Sequence, residues 1–258
     1  MRVYHMSGAG NDFAVIDARG KALDFSALAK QLCARLGADG FMAIGQAEDA
    51  DFTLHFYNAD GSRGEMCGNG SRCICRFAYD HGIAGEDMTV HTDAGLIRGW
   101  RLSENIYRVK LNNPGIIDLH RRSDAAYVEL GNPGIPHGIV ELPDLSFDHA
   151  EQLRQQAKAL RYAPEFPKGA NITFFTQLTE GEVRVLTYER GVEDYTLACG
   201  TGCGSLAVTL HALGRLPAGK LLAHNRGGDL SITLEEAGGS IRALYLEGPT
   251  EYLTTIEI

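Results

Sequence analysis

Apolar and polar residues alternate in short runs along most of this chain. The run 52–56, Phe52-Thr53-Leu54-His55-Phe56, has the two-residue period of a half-buried strand. Similar runs occupy 88–92, 107–111, 127–130, 138–142, 172–175, 183–188, 230–234, 241–246 and 253–256, with Gly, Asn, Asp and Pro between them. A helical period is rarer. Leu28, Leu32 and Leu36 share one face of a helix expected over 26–36, with Gly37 as its C-cap. Asp148 followed by Glu151 predicts a capping box for a helix running through Leu160, striped by Ala150, Leu153, Ala157 and Leu160. Further helices are expected over 71–79 and 203–213.

Those last helices follow near-identical sequences, Met66-Cys67-Gly68-Asn69-Gly70 and Ala198-Cys199-Gly200-Thr201-Gly202. Each is preceded by a strand and a polar loop. Each half of the chain therefore reads as strands, a long helix, more strands, a polar loop and a cysteine helix. That is an α+β fold with internal duplication. Its midpoint lies at the turn-rich Asn112-Asn113-Pro114-Gly115, which separates halves 1–114 and 115–246.

Composition narrows the function. A net charge of −9 over 258 residues, with no basic run, excludes nucleic acid and anionic membrane as main partners. No apolar stretch reaches the ~20 residues of a membrane span, and the N-terminus lacks the apolar segment of a secretion signal. A cytoplasmic location is the expectation. The six cysteines, Cys33, Cys67, Cys73, Cys75, Cys199 and Cys203, lack the paired C-x2-C spacing of a zinc ribbon, and a disulfide framework is not expected in such a chain. No metal site is expected.

Cys67 and Cys199 stand apart because each opens a helix. Unpaired N–H groups and the positive end of the helix dipole bind anions there and favour thiolate over thiol. Inverting an amino acid requires removing a proton from one face of the α-carbon and returning one to the other. Two opposed thiols, one ionised and one not, can do this. Backbone N–H groups of Gly68, Asn69, Gly200 and Thr201 would steady the substrate carboxylate. Taken singly, each cysteine would read as a small buried hydrophobe; the matched pair argues otherwise. Cys33, Cys73, Cys75 and Cys203 lie in apolar helical surroundings and read as core.

Long motifs then point to a family. Met6-Ser7-Gly8-Ala9-Gly10-Asn11-Asp12-Phe13, Asn58-Ala59-Asp60-Gly61-Ser62, and Glu65-Met66-Cys67-Gly68-Asn69-Gly70-Ser71-Arg72-Cys73 resemble motifs of the diaminopimelate epimerases. So do Glu189-Arg190-Gly191 and Leu197-Ala198-Cys199-Gly200-Thr201-Gly202. The resemblance runs in order over essentially the whole chain. It implies two pseudo-symmetric α/β domains, each a sheet wrapped around a central helix, with the active site in the cleft between them and a return strand, 247–258, completing the first domain. It further implies a homodimer, no cofactor, and epimerisation of LL-diaminopimelate to the meso form, which feeds lysine and peptidoglycan synthesis. Carried over residue by residue, Cys67 and Cys199 are the acid–base pair, and Asn11, Asn58, Asn132, Asn171, Glu189 and Arg190 hold the substrate. Arg190 would fork onto the distal carboxylate and Glu189 would meet an amino group.

This chain departs from the family at two places. Gly131-Asn132-Pro133 is separated from His137 by Gly134-Ile135-Pro136, and the loop 192–197 before the second cysteine is longer and lacks a glycine. Both changes bear on substrate identity. His137 could polarise a thiol or merely cap the strand that follows. The alternatives are a racemase of another amino acid, such as histidine, on the same scaffold; a phenazine-type isomerase, which would lack the cysteine pair; and a thiol-based redox or metal-binding module.

Overall fold

The computed structural model describes every residue except Glu65 and Met66, which belong to the first cysteine motif and lie outside the described residues. The elements in chain order are β1 (Arg2–Gly8), β2 (Asn11–Asp17), α1 (Phe25–Leu36), β3 (Gly40–Gly45), β4 (Phe52–Asn58), α2 (Gly68–Asp80), β5 (Asp87–Thr92), β6 (Gly95–Arg101) and β7 (Ile106–Leu111). They continue with β8 (Pro114–Asp118), β9 (Ala126–Gly131), β10 (Gly134–Glu141), α3 (Ala150–Arg161), β11 (Asn171–Thr179), β12 (Glu182–Glu189), β13 (Asp194–Tyr195) and α4 (Gly200–Ala212). The last are β14 (Lys220–Asn225), β15 (Gly228–Ala237), β16 (Ser240–Pro249) and β17 (Glu251–Glu257). The chain divides into two compact units, Met1–Lys110 with Glu247–Ile258, and Leu111–Leu246.

In the first unit β17 pairs with β1 and β1 with β2, both antiparallel. β2 pairs parallel with β3, and α1 makes the crossover. β3 pairs antiparallel with β4; β4 pairs parallel with β5, and here α2 is the crossover. β5, β6 and β7 finish as an antiparallel meander. The second unit repeats the sequence of directions. β8, β9 and β10 are antiparallel; β10 and β11 are parallel across α3. β11 and β12 are antiparallel; β12 and β14 are parallel across α4; β14 and β15 are antiparallel. A parallel pair needs a long connection, so each unit places its helices by the same rule.

The cysteine helix is the inner one in both units. α2 packs on β1, β2, β3 and β6, while α4 packs on β8, β9, β10, β11, β14 and β15. Both are buried along most of their length, and Cys73, Cys75 and Cys203 are fully enclosed. The outer helices cover the other face of each sheet. Ala29, Leu32 and Cys33 of α1 join Ala14, Ile16 and Phe41; Ala157 and Leu160 of α3 join Phe166, Ile172 and Phe174. α1 ends on Gly37 in the left-handed conformation, with φ 69°, as its sequence predicts. The start of α3 differs from the sequence reading. The capping box belongs to Ser146 and His149, around a 3-10 turn over Phe147–His149, and not to Asp148 and Glu151. Ser146 has extended backbone, which aims its hydroxyl at the free N–H of Asp148; Asp148 itself already lies inside the turn.

Candidate active site

Both cysteine helices begin one turn earlier than their apolar period suggests, so that the cysteine is the N-cap. Cys67 (φ −121°, ψ 120°) and Cys199 (φ −121°, ψ 106°) have nearly the same extended backbone. The following Gly-x-Gly lets each helix end approach other groups closely. A Cβ on Gly202 would lie 2.9 Å and 3.0 Å from the hydroxyls of Thr173 and Thr187; one on Gly70 would press Met42 and Phe13. Gly8, on β1, passes so near α2 that its Cβ would stand 2.8 Å from the Asn69 carbonyl.

In the first unit Cys67 is half-buried, and its Sγ lies 3.6 Å from Asn11 Oδ1. The Asn11 amide donates from Nδ2 to Asp39 Oδ2 at 2.6 Å, and Asp12 N donates to the same oxygen at 2.9 Å. Asp39 N donates in turn to the Asp12 carbonyl at 2.8 Å. Asn69 is buried inside the first turn, where its Oδ1 accepts from the buried Arg72 at 3.1 Å. Asn58 is exposed at the end of β4 and donates to Ser62 Oγ at 2.9 Å.

In the second unit Cys199 is 6% exposed. Its Sγ accepts from Gly202 N at 3.4 Å and lies 3.5 Å from Thr201 Oγ1. Thr201 Oγ1 is 3.0 Å from Nε2 of His137, which is wholly buried on β10. The β10–β11 register sets His137 opposite Asn171, whose Nδ2 is 3.3 Å from the same Nε2. Asn171 Oδ1 accepts from Arg190 N at 2.7 Å, so the amide must turn its NH2 toward the ring. His137 Nε2 is therefore an acceptor and its proton sits on Nδ1. With Cys199 as thiol, the line S–H, Thr201 O–H, His137 Nε2 runs donor to acceptor at each step; toward a thiolate the Thr201 hydroxyl turns to donate to the sulfur instead.

Electrostatics revises one expectation. The helix end was expected to favour a thiolate. Burial pushes the Cys199 thiol well above its ordinary value, Glu189 pushes it further, and the Thr201 and Gly202 hydrogen bonds only partly oppose them. Desolvation outweighs the helix end. Burial also pushes His137 down to about 3, with Arg190 acting in the same direction, so its ring is neutral at pH 7. Cys73 and Cys75 are pushed up to about 12 by burial, as core thiols should be.

The polar loop before α4 is tightly held. Glu189 Oε1 accepts from Thr196 Oγ1 at 2.5 Å, Arg161 reaches Glu193 at 2.9 Å, and Arg154 reaches Asp194 at 2.8 Å. These contacts fasten the long loop 192–197 to α3. Arg190 is exposed, with Nη1 on the Lys168 carbonyl at 3.0 Å. The extra Gly134-Ile135-Pro136 is absorbed by a hairpin in which Gly131 pairs with Gly134. Asn132 is exposed in the turn of that hairpin. Asp39 has no signature in the sequence, because nothing local marks it as Asn11's partner. Among the described residues no group of His, Cys, Asp and Glu is placed to hold a metal ion.

A profile of the diaminopimelate epimerases matches residues 3–105 and 130–253. The chain is 34% identical to a diaminopimelate epimerase of Hydrogenobaculum sp., over 97% of this chain and 95% of that protein. It is 32% identical to one of Flavobacterium psychrophilum, over 99% of this chain and all of the other. Among solved structures, a phenazine biosynthesis protein of the PhzF family from Bacillus anthracis superposes with a TM-score of 0.78 at 13% identity, covering 100% of this chain and 98% of that one. That last likeness shows a shared fold.

Proposed function

The chain belongs to the diaminopimelate epimerase family, a family of isomerases, and we propose that it inverts one α-carbon of LL-diaminopimelate to give the meso form, with Cys67 and Cys199 as its two proton-transfer groups. The observation that carries this reading is the repeated helix start. Two units of the same strand order each cap the inner helix with a cysteine in the same backbone conformation. One thiol enters as thiolate and takes the α-proton; the other enters as thiol and gives its proton to the opposite face. Product leaves the pair with their protonation exchanged. Burial favours the neutral form of Cys199 in the empty protein.

The helix ends give the developing carbanion its electrostatic support. N–H groups of Gly68, Asn69, Gly200 and Thr201 would receive the α-carboxylate. Asn11, Asn58, Asn132 and Asn171 would supply neutral polar contacts, with Glu189 at an amino group and Arg190 at the distal carboxylate. No cofactor is needed for this chemistry. A homodimer in the cytoplasm belongs to the same proposal; no described helix is long and apolar enough to cross a membrane.

The changed segments 134–136 and 192–197 favour a second reading, in which the pocket takes a different amino acid. One experiment decides. The pure protein is incubated in deuterium oxide with LL-diaminopimelate and with a panel of other L-amino acids, and α-deuterium and inverted product are measured. The proposal expects exchange and meso product from diaminopimelate. Faster exchange of histidine or another neutral amino acid would replace it by the racemase reading.

A further inference from the structure

We infer that Asp39 is a positioning residue for Cys67: it fixes the orientation of the Asn11 amide so that the amide oxygen, and not the NH2 group, faces the thiol. This rests on the reading that Cys67 transfers a proton. The argument is one of donor and acceptor counting. An ionised carboxylate only accepts hydrogen bonds, so the group that Asn11 turns toward Asp39 Oδ2 at 2.6 Å must be its NH2. The other end of the amide, Oδ1, is then left 3.6 Å from Cys67 Sγ. An amide free to rotate could offer either end to the sulfur, and the two ends have opposite effects. Oxygen accepts from S–H and favours the thiol; NH2 donates to S⁻ and favours the thiolate.

Asp39 is itself held for this task. Its Oδ2 also takes the Asp12 N–H at 2.9 Å, and its own N–H returns to the Asp12 carbonyl at 2.8 Å. This reciprocal clamp joins the residue before β3 to the start of β2, the strand that carries Asn11. The clamp explains why a polar residue sits in the tight connection after α1, where the Gly37 cap ends the helix. Other described titratable groups around this corner are Asp12, His5 with Nε2 3.4 Å from Asp12 Oδ2, Cys33 on α1, which feels the Asp39 charge, and Cys73 on α2, which feels those of Arg72, Cys67 and Asp12. None of them contacts the Asn11 side chain in the way Asp39 does.

The functional consequence is that Asp39 restrains Cys67 from ionising too readily. A base that is too weak abstracts the α-proton slowly, so holding the thiol nearer its ordinary value serves the chemistry. The second unit sets its own asparagine the other way round. There a backbone N–H holds the Asn171 oxygen, and the NH2 faces inward to His137.

The test measures the pH dependence of alkylation at Cys67 and Cys199 separately, by iodoacetamide labelling and peptide mass spectrometry, together with epimerase turnover. Asp39→Ala should lower the Cys67 midpoint by about one pH unit, the scale of one hydrogen bond exchanged at a thiol. It should leave the Cys199 midpoint where it was and reduce kcat by roughly tenfold or more. Asp39→Asn keeps an acceptor for both N–H groups and should restore most of the wild-type profile. In an Asn11→Ala background the Asp39→Ala change should no longer move the midpoint, which separates the amide's orientation from the mere loss of a negative charge. Asp39→Ser takes the place of Asp39→Ala if the latter does not fold. Superimposable Cys67 profiles in wild type and Asp39→Ala, or an equal shift in the Asn11→Ala background, would overturn the assignment. A Cys67 shift in a protein that fails to epimerise diaminopimelate would uphold Asp39's role and remove the substrate reading instead.

Discussion

The two cysteine helices start with the same backbone and differ in the described partners of the sulfur. Cys199 lies in a dry frame, with a helix N–H, a threonine hydroxyl and, behind that, a buried neutral histidine. Cys67 is more open, and its described side-chain partner is an asparagine oxygen set by an exposed carboxylate. A duplicated scaffold thus supplies equal positions but unequal environments. For a two-base inversion this inequality is useful. Like groups in like surroundings would share one proton between them; unlike surroundings decide which starts protonated.

The largest effect expected is from removing either sulfur. Cys67→Ala and Cys199→Ala should each lower the rate of inversion by about 10²–10⁴-fold or more while circular dichroism and melting stay close to wild type. If either variant turned over near the wild-type rate, the second thiol would be structural and the comparison would collapse. Next comes Arg190→Ala. A lost charge pair in a closed site costs ~2–5 kcal/mol, so kcat/KM for diaminopimelate should drop by ~30-fold or more, with far less change for a short neutral amino acid. Equal losses on both substrates would show that Arg190 acts through its hold on the Lys168 carbonyl and does not read a carboxylate.

A smaller effect is expected from Thr201→Val, which breaks the line from Cys199 to His137. Losing one hydrogen bond of about 1–1.5 kcal/mol should lower kcat roughly tenfold. Alkylation profiles should change at Cys199 and stay fixed at Cys67; a change at both would mean that the two frames are not independent. The last test is on stability and leaves the rate near pH 7 aside. His137 is buried and neutral, with its folded value pushed down to about 3. Its unfolded value is ~6.5, so the unfolded chain binds the extra proton first. Stability is unaffected above pH ~6.5 and falls as pH drops from there toward about 3. His137→Gln should flatten that part of a urea-unfolding series. An unchanged slope would place the proton elsewhere, and the buried-neutral account of the Cys199 frame would fail.

The helix starts were readable because their signals are local: a cysteine, a Gly-x-Gly and an apolar period within a few residues. The same holds for α1 and its Gly37 cap. β3 was not readable, because every residue from Gly40 to Gly45 is buried and a strand covered on both faces shows no alternation. The capping box of α3 was misplaced by two residues because both Ser146 and Asp148 are good caps, and only the backbone conformation at 146 selects between them. The surroundings of the thiols lay further out of reach. Asn11 meets Asp39 across 28 positions and His137 meets Thr201 across 64, and no spacing rule joins residues that only sheet register brings together.

The pairing of β17 with β1 has a consequence for how the chain is made. Arg2 faces Glu257 and Val3 faces Ile256, so β1 leaves the ribosome long before the strand that covers its outer edge. The second unit, by contrast, is drawn from one continuous stretch, Leu111–Leu246, and has all its strands before β17 is synthesised. During translation the later half can therefore finish first, while β1 remains an open edge able to pair with other chains. Loss of the last few residues would strike the earliest part of the molecule, and overproduction at high temperature would expose that edge longest.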